Sequence, residues 1–190
     1  MQASQRGDII TNAIIPIRLA FFMWLIFFLE LKYQVPFSNY GILPRTEVGL
    51  IGIFMGPLVH GSFSHIISNT IPILFLGGIL FNFYKKIAKK VFYWCYLFTG
   101  ILVWLFARPS YHIGASGLVY GIAFFLMFFG LFRKDMKSIL ISIAVILIYS
   151  GLFYGIYPTT AQMSWESHLF GALVGIAAAF YFGVLRKVAS

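Results

Sequence analysis

His112-Ile-Gly-Ala-Ser116-Gly-Leu-Val-Tyr120-Gly121 sets a serine between glycines at the head of an apolar run. A hydroxyl entering hydrocarbon needs a hydrogen-bond partner, and Gly114 and Gly117 let main chain or a neighbouring helix come unusually close. Two readings of Ser116 stand at this point: a small packing residue bonded to its own backbone, or a nucleophile. Which one holds depends on what the other spans bring alongside it.

The surroundings follow from composition. Of 190 residues, 61% are hydrophobic and only 10% charged, with a mean hydropathy of +0.90; a soluble domain carries about 25% charged residues. The chain reads as an all-α, polytopic membrane protein. A bilayer core about 30 Å thick takes roughly 20 apolar residues per helix, which divides the sequence into six spans at approximately 13–31, 64–84, 88–107, 113–132, 138–157 and 167–185. Residues 13–185 thus form one six-helix membrane domain, between polar tails at 1–12 and 186–190. The N-terminus lacks a short apolar core followed by a cleavage site, so the first run reads as a retained span. Cys95 is the only cysteine, which leaves no intrachain disulfide and no thiolate metal site.

The net charge of +9 does not point to nucleic acid, because the cations sit in clusters between spans and set topology instead. Arg6, Lys85, Lys86, Lys89, Lys90, Arg133, Lys134, Lys137, Arg186 and Lys187 fall on one side; Lys32, Arg45 and Arg108 fall on the other, with Arg18 near the inner end of the first span. The positive-inside rule puts both termini in the cytoplasm and the loops at 32–63, 108–112 and 158–166 outside. The first of these loops is broken by Pro36, Gly41, Pro44, Gly49, Gly52, Gly56 and Pro57 yet rich in apolar residues. It reads either as a segment embedded in the interface or packed on the bundle, or as a plain structural loop.

That topology sends the second, fourth and sixth spans in the same direction, each with polar residues near its outer start. The second opens with His60-Gly-Ser-Phe-Ser-His65-Ile-Ile-Ser-Asn69, in which His65 and Asn69 share a helix face. The fourth carries Ser116, with Tyr120 one turn deeper. The sixth opens with Trp165-Glu-Ser-His168 and continues through Gly171 and Gly175, a small-xxx-small face suited to close packing. With a rise of 1.5 Å per residue, Asn69, Ser116 and His168 each lie roughly 5 to 15 Å outside the middle of their span. Three costly polar groups at similar depth point to one water-accessible pocket.

A serine and a neutral imidazole in such a pocket have the chemistry of a proteolytic dyad. The backbone N–H at the start of the fourth span, with His65 and Asn69, would suit a developing oxyanion. His60 and His112 sit at loop edges, where solvation or structural hydrogen bonding accounts for them. Glu166 could orient His168, although helical neighbours point about 100° apart. A metal centre is the competing chemistry, but no His-Glu-x-x-His run is present.

Taken together, Gly114-Ala-Ser116-Gly117 with Tyr120, His168 with Gly171 and Gly175, and His65-Ile-Ile-Ser-Asn69 with Gly77-Gly78 resemble the rhomboid intramembrane serine proteases of the minimal six-span bacterial type, over about residues 47–185. The resemblance implies Ser116 as nucleophile and His168 as general base, with no metal or other cofactor. It implies an oxyanion hole from His65, Asn69 and the Ser116 N–H, Tyr120 packed on the imidazole, and supporting roles for Gly114, Gly117, Gly171 and Gly175. The implied substrates are single-span membrane proteins cut in or near the outer end of the span, within a lipid surrounding and without nucleic acid. The fifth span and the loop at 158–166 match the family's lateral gate and cap.

The chain departs from the family pattern in its first loop. A Trp-Arg pair common there is replaced by Glu47-Val48-Gly49-Leu50, Gly56 stands where some members have a histidine, and Ser167 precedes His168 where alanine is frequent. The expected activity is an intramembrane serine endopeptidase in a bacterial cytoplasmic membrane. A catalytically inactive rhomboid-like scaffold for transmembrane clients, and a small transporter using the polar pocket, are the alternatives. Oligomeric state has no signature in the sequence.

Overall fold

The computed structural model describes residues 2–158 and 163–186, residues 2–13 by backbone alone. The described chain is helical throughout: α1 (Gln2–Tyr33), α2 (Glu47–Met55), α3 (Phe63–Phe83), α4 (Lys85–Phe106), α5 (Ser116–Arg133), α6 (Met136–Tyr149) and α7 (Trp165–Phe180). A 3-10 segment at Ser150–Ile156 prolongs α6, and a wider turn at Tyr181–Leu185 prolongs α7. Six stretches are long and apolar enough to cross a membrane: Ile14–Tyr33, Phe63–Phe83, Lys85–Phe106, Ser116–Arg133, Met136–Ile156 and Trp165–Leu185. The protein is an integral membrane protein built as an all-α bundle. Lys187 and residues 159–162 of the loop before α7 lie outside the described residues.

Burial orders the spans. Along α5 72% of the membrane window is enclosed by the rest of the protein, whereas along the α6 span only 11% is. Helix α5 is therefore the axis of the bundle, and Phe125, Phe129, Ile122 and Leu126 on it are fully buried. The outer helices turn Phe21, Phe28, Leu140 and Leu147 away from the protein, as lipid requires.

Helices α5 and α7 make the closest approach. A Cβ added at Gly171 would collide with the carbonyl of Gly117, and one at Gly175 with the carbonyl of Gly121. In a bilayer, where apolar contact with lipid is as good as apolar contact with protein, such backbone proximity is a main source of association between helices. On the other side of α5, Gly121 also receives Cys95 of α4, and Gly117 receives Thr99.

The first loop folds onto α4 and is not one helix. Gly49 and Gly52, within α2, let it press against the backbone of residues 41–43, where a side chain would overlap main-chain atoms. Thr46 caps α2 by accepting from the Gly49 N–H (3.1 Å). The Trp104 indole donates to the Thr46 carbonyl (2.9 Å), the Tyr96 hydroxyl to the Phe54 carbonyl (2.6 Å), and the Arg45 guanidinium to the Ala107 carbonyl (2.8 Å). Of the two readings of this apolar but broken segment, packing on the bundle is the one observed.

This loop also explains why the fourth span begins as a helix at Ser116 and not at 113. Ile42 and His112 exchange both backbone hydrogen bonds (2.9 Å each), and the Gly114 N–H reaches the Gly56 carbonyl (2.9 Å). Residues 112–114 are thereby held out of the helix. Gly114 then takes a φ of +96°, a left-handed conformation that L side chains rarely adopt.

Helix α6 is fastened at one end. Asp135 caps it by accepting from the Ser138 N–H (3.0 Å), and the Ser142 hydroxyl donates to the Leu126 carbonyl (2.6 Å) while accepting from the Gly130 N–H (3.0 Å). Its buried residues, Ser138, Ser142 and Val145, all lie in its first ten positions, and none of residues 150–156 is buried. The far end of the span is only partly buried, packing through Tyr149, Leu152 and Ile156 and through Phe153 against Phe124 (5.0 Å).

Gly175→Val is expected to destabilise the bundle by about 2 kcal/mol or more, the range of core overpacking, seen as a lower unfolding temperature in detergent. Gly78 has open space where a Cβ would stand, so Gly78→Ala should leave that temperature unchanged or raise it.

Candidate active site

Three parallel helix starts converge at one end of the bundle. There a cavity of about 580 Å³ is bounded by His65, Asn69, Ser116, Tyr120 and His168, together with Tyr111, Leu152 and Met163. Ser116 is the first residue of α5, so its N–H has no intrahelical acceptor and sits at the positive end of the helix. His168 is in the first turn of α7 and 8% exposed. Because Gly117 and Gly171 bring the two helices together, His168 Nε2 lies 2.9 Å from Ser116 Oγ.

The other ring nitrogen fixes the tautomer. His168 Nδ1 is 2.8 Å from the carbonyl oxygen of Gly155, on the extension of α6. A carbonyl only accepts, so Nδ1 carries the proton and Nε2 is left as the acceptor for the Ser116 hydroxyl. The ring plane is set by Tyr120, which stacks on the imidazole with centroids 4.2 Å apart and planes 2° from parallel. Gly155 must be a glycine for this approach, since a Cβ there would strike the Tyr120 hydroxyl.

Glu166 does not orient His168. It is 4% exposed and pairs with Arg108 (3.4 Å), because neighbouring residues on α7 face different directions. Arg108 also donates to the Met163 carbonyl (2.7 Å), and His112 Nδ1 lies 2.6 Å from Ser164 Oγ, which contacts Ser167 Oγ at 2.6 Å. This polar belt ties the α4–α5 loop to the start of α7. Here lies the use of Ser167: it belongs to the belt.

On α3, His65 and Asn69 face the same cavity from adjacent turns. The Asn69 amide donates to the His65 carbonyl (2.9 Å), leaving a second N–H for the cavity. A Cβ at Gly114 would run into the His65 imidazole, so that glycine is required by space as well as by its φ.

His60 makes structural hydrogen bonds, one of the two readings of its position at a loop edge. It is 1% exposed, its ring packs edge-on against His65 (4.9 Å), its Nδ1 lies 3.2 Å from the Leu58 carbonyl, and its Nε2 lies 3.5 Å from the Ala115 N–H. Burial, and secondarily the nearby His65, pushes the His60 imidazole down to about 4. It is neutral at pH 7, donating through Nδ1 and accepting through Nε2 from the residue just before Ser116. Burial likewise lowers His112, against its contact with the Arg108 carbonyl. Nothing in the sequence marks Gly155, whose carbonyl acts through the main chain.

Among the described residues, no three His, Cys, Asp or Glu side chains are grouped to hold a metal ion. The chemistry on offer is a hydroxyl hydrogen-bonded to an oriented imidazole, beside unpaired N–H donors. Comparison with known proteins gives this arrangement its class. The Rhomboid domain family model matches residues 48–184. An uncharacterized protein of Mycobacterium tuberculosis (strain ATCC 25618 / H37Rv) and one of Mycobacterium bovis are each 35% identical over 184 residues, covering 88% of this chain and 75% of theirs. An uncharacterized protein of Mycobacterium leprae is 36% identical over 174 residues, covering 84% of this chain and 68% of its own. The chain belongs to the rhomboid family, a family of intramembrane proteases.

A depressed imidazole makes stability depend on pH in a definite direction. His60 binds a proton in the unfolded chain near 6.5 and in the folded chain only near 4, so its contribution is fully present above about 6.5 and is lost as pH falls toward 4. Thermal unfolding in detergent is expected to show that decline, and His60→Gln should flatten it while lowering stability at pH 7.

Proposed function

We propose that the protein is an intramembrane serine endopeptidase in which Ser116 is the nucleophile and His168 the general base. The observation that carries this reading is the 2.9 Å contact between Ser116 Oγ and His168 Nε2 inside the cavity, with the opposite nitrogen committed to the Gly155 carbonyl.

The reaction follows from the geometry. Ser116 Oγ attacks the peptide carbonyl carbon while its proton passes to His168 Nε2, giving a tetrahedral intermediate and an imidazolium. The imidazolium is stabilised by the Gly155 carbonyl and keeps its plane against Tyr120. Negative charge on the former carbonyl oxygen is met by the Ser116 N–H, the second Asn69 N–H and the His65 ring. Collapse breaks the C–N bond, the proton on Nε2 goes to the leaving amine, and an ester to Ser116 remains. Water, deprotonated by His168, then hydrolyses that ester.

Single-span membrane proteins are the substrates of this reading. The cavity is bounded by Leu152 on the partly buried end of the α6 span, so an extended segment could reach Ser116 from the membrane past residues 150–156. The excess of Lys and Arg on the opposite loops supports a reading with both termini in the cytoplasm and the cavity on the outer side of a bacterial cytoplasmic membrane.

Labelling by a fluorophosphonate, and cleavage of a transmembrane reporter, test the assignment. Both are expected to vanish in Ser116→Ala, and His168→Ala should lose nearly all turnover. Asn69→Ala removes one donor among several and should cost about 100- to 1000-fold, still measurable above Ser116→Ala. Cleavage that persists without the Ser116 hydroxyl would sink the reading; intact folding with neither labelling nor cleavage in the wild type would favour an inactive scaffold.

The carbonyl on α6 gives a further expectation. Gly155→Ala should push residue 155 away from Tyr120 and lengthen the bond to Nδ1, lowering kcat by about tenfold, the size of one lost hydrogen bond, with KM little changed. The same variant should shift the acidic limb of the pH–rate profile, a change that simple loss of packing would not produce.

A further inference from the structure

His112 is 2% exposed, four residues ahead of Ser116, and its main chain is already fixed by the two hydrogen bonds it exchanges with Ile42. Its side chain turns toward the helix that carries His168. Nε2 lies 3.1 Å from the Arg108 carbonyl, a group that only accepts, so the Nε2 proton is donated there. Burial disfavours the charged ring, which leaves Nδ1 bare. Nδ1 therefore accepts from the Ser164 hydroxyl at 2.6 Å, and Ser164 Oγ, its proton given, accepts from the Ser167 hydroxyl at 2.6 Å. The four groups form a chain with one direction, from Ser167 through Ser164 and His112 to the Arg108 carbonyl.

Two observations give this chain a task beyond filling space. Ser164 stands just before α7, where a serine side chain ordinarily accepts from an N–H two or three residues into the helix. It makes no such cap; the Ser167 N–H goes to the Ser164 carbonyl instead (3.1 Å). The hydroxyl has left its own helix to reach His112. Independently, Gly117, Gly121, Gly171 and Gly175 let the backbones of α5 and α7 touch, but contact along a line of small residues leaves the helices free to slide and turn. A directed hydrogen bond at the mouth of that seam stops the movement, and the bond from Ser164 to His112 is placed there, four residues before each member of the dyad.

We propose that His112 is a positioning residue for the proteolytic reaction: through Ser164 it holds the start of α7 so that His168 Nε2 stays within hydrogen-bond reach of Ser116 Oγ. This role rests on the protease reading of Ser116 and His168. It is exerted from outside the cavity, which Ser164 lines and His112 does not. The bond between Ser116 and His168, at 2.9 Å, falls in a range only about 0.5 Å wide, so a small displacement of α7 is enough to slow proton transfer.

The test measures the rate at which a fluorophosphonate labels Ser116 in the intact protein in detergent, with kcat and KM for a transmembrane reporter, below the unfolding temperature of each variant. His112→Phe keeps a planar ring without the acceptor, and Ser164→Ala removes the donor while leaving His112 in place. Each is expected to slow labelling and lower kcat about tenfold, the size of one hydrogen bond, with KM little changed. The double variant should lose no more than either single one, since both break the same bond. His112→Asn, whose amide oxygen can stand near the Nδ1 position and accept from Ser164, should recover most of the rate. Labelling at the wild-type rate in folded Ser164→Ala, losses that multiply in the double variant, or no recovery with His112→Asn would overturn the proposal. Wild-type protein that neither labels nor cleaves would remove the protease reading and this role with it; normal wild-type labelling with indifferent variants removes the role of His112 alone.

Discussion

Everything at the serine end of the bundle depends on how near α5 and α7 can come. The distance between packed helix axes varies from about 8 to 10 Å with the side chains at the contact, and that spread is large beside a hydrogen bond. Gly117 and Gly121 on one helix meet Gly171 and Gly175 on the other, so the seam is backbone against backbone. Ser116 and His168 stand at the outer edge of this seam, each within the first turn of its helix. The 2.9 Å between them is thus inherited from packing set along the helices below. It does not rest on the two side chains themselves.

A second level of organisation fixes the chain just before Ser116. Residues 112–115 are gripped from the first loop by Ile42, Gly56 and His60, and that loop is itself hung on α4 through Trp104, Tyr96 and Arg45. The long first loop is a scaffold for the helix start. By contrast, α6 is pinned to α5 at Ser138 and Ser142 and carries no buried residue beyond 149. One side of the cavity is over-determined, and the other is formed by the end of a span that is only partly buried.

Much of this was legible in the sequence because it is written in side chains. Apolar run lengths located the six spans to within a few residues, and alternating direction aligned Asn69, Ser116 and His168 before any distance was known. The glycines of the α5–α7 seam were visible as a four-residue spacing. What escaped was the work done by main chain. The Ile42–His112 bridge, the Gly114–Gly56 bond and the Gly155 carbonyl leave no residue signature, since any residue can supply a carbonyl. The start of α5 fell three residues later than apolar content implied for the same reason. Glu166 illustrates the converse: its chemistry suited His168, but the direction of its side chain sent it to Arg108.

The acceptor for His168 Nδ1 is main chain, and it is inherited differently from a side chain. A triad whose third member is an aspartate can be disarmed by one codon change at that residue. Here the group facing Nδ1 is the Gly155 carbonyl, which does not depend on side-chain chemistry at its own position but is displaced by a Cβ there, because that atom would strike the Tyr120 hydroxyl. The information that keeps the imidazole in register is therefore stored as the placement of a whole span. On the protease reading, a shift of that span would withdraw the acceptor without any change in the residues that touch His168.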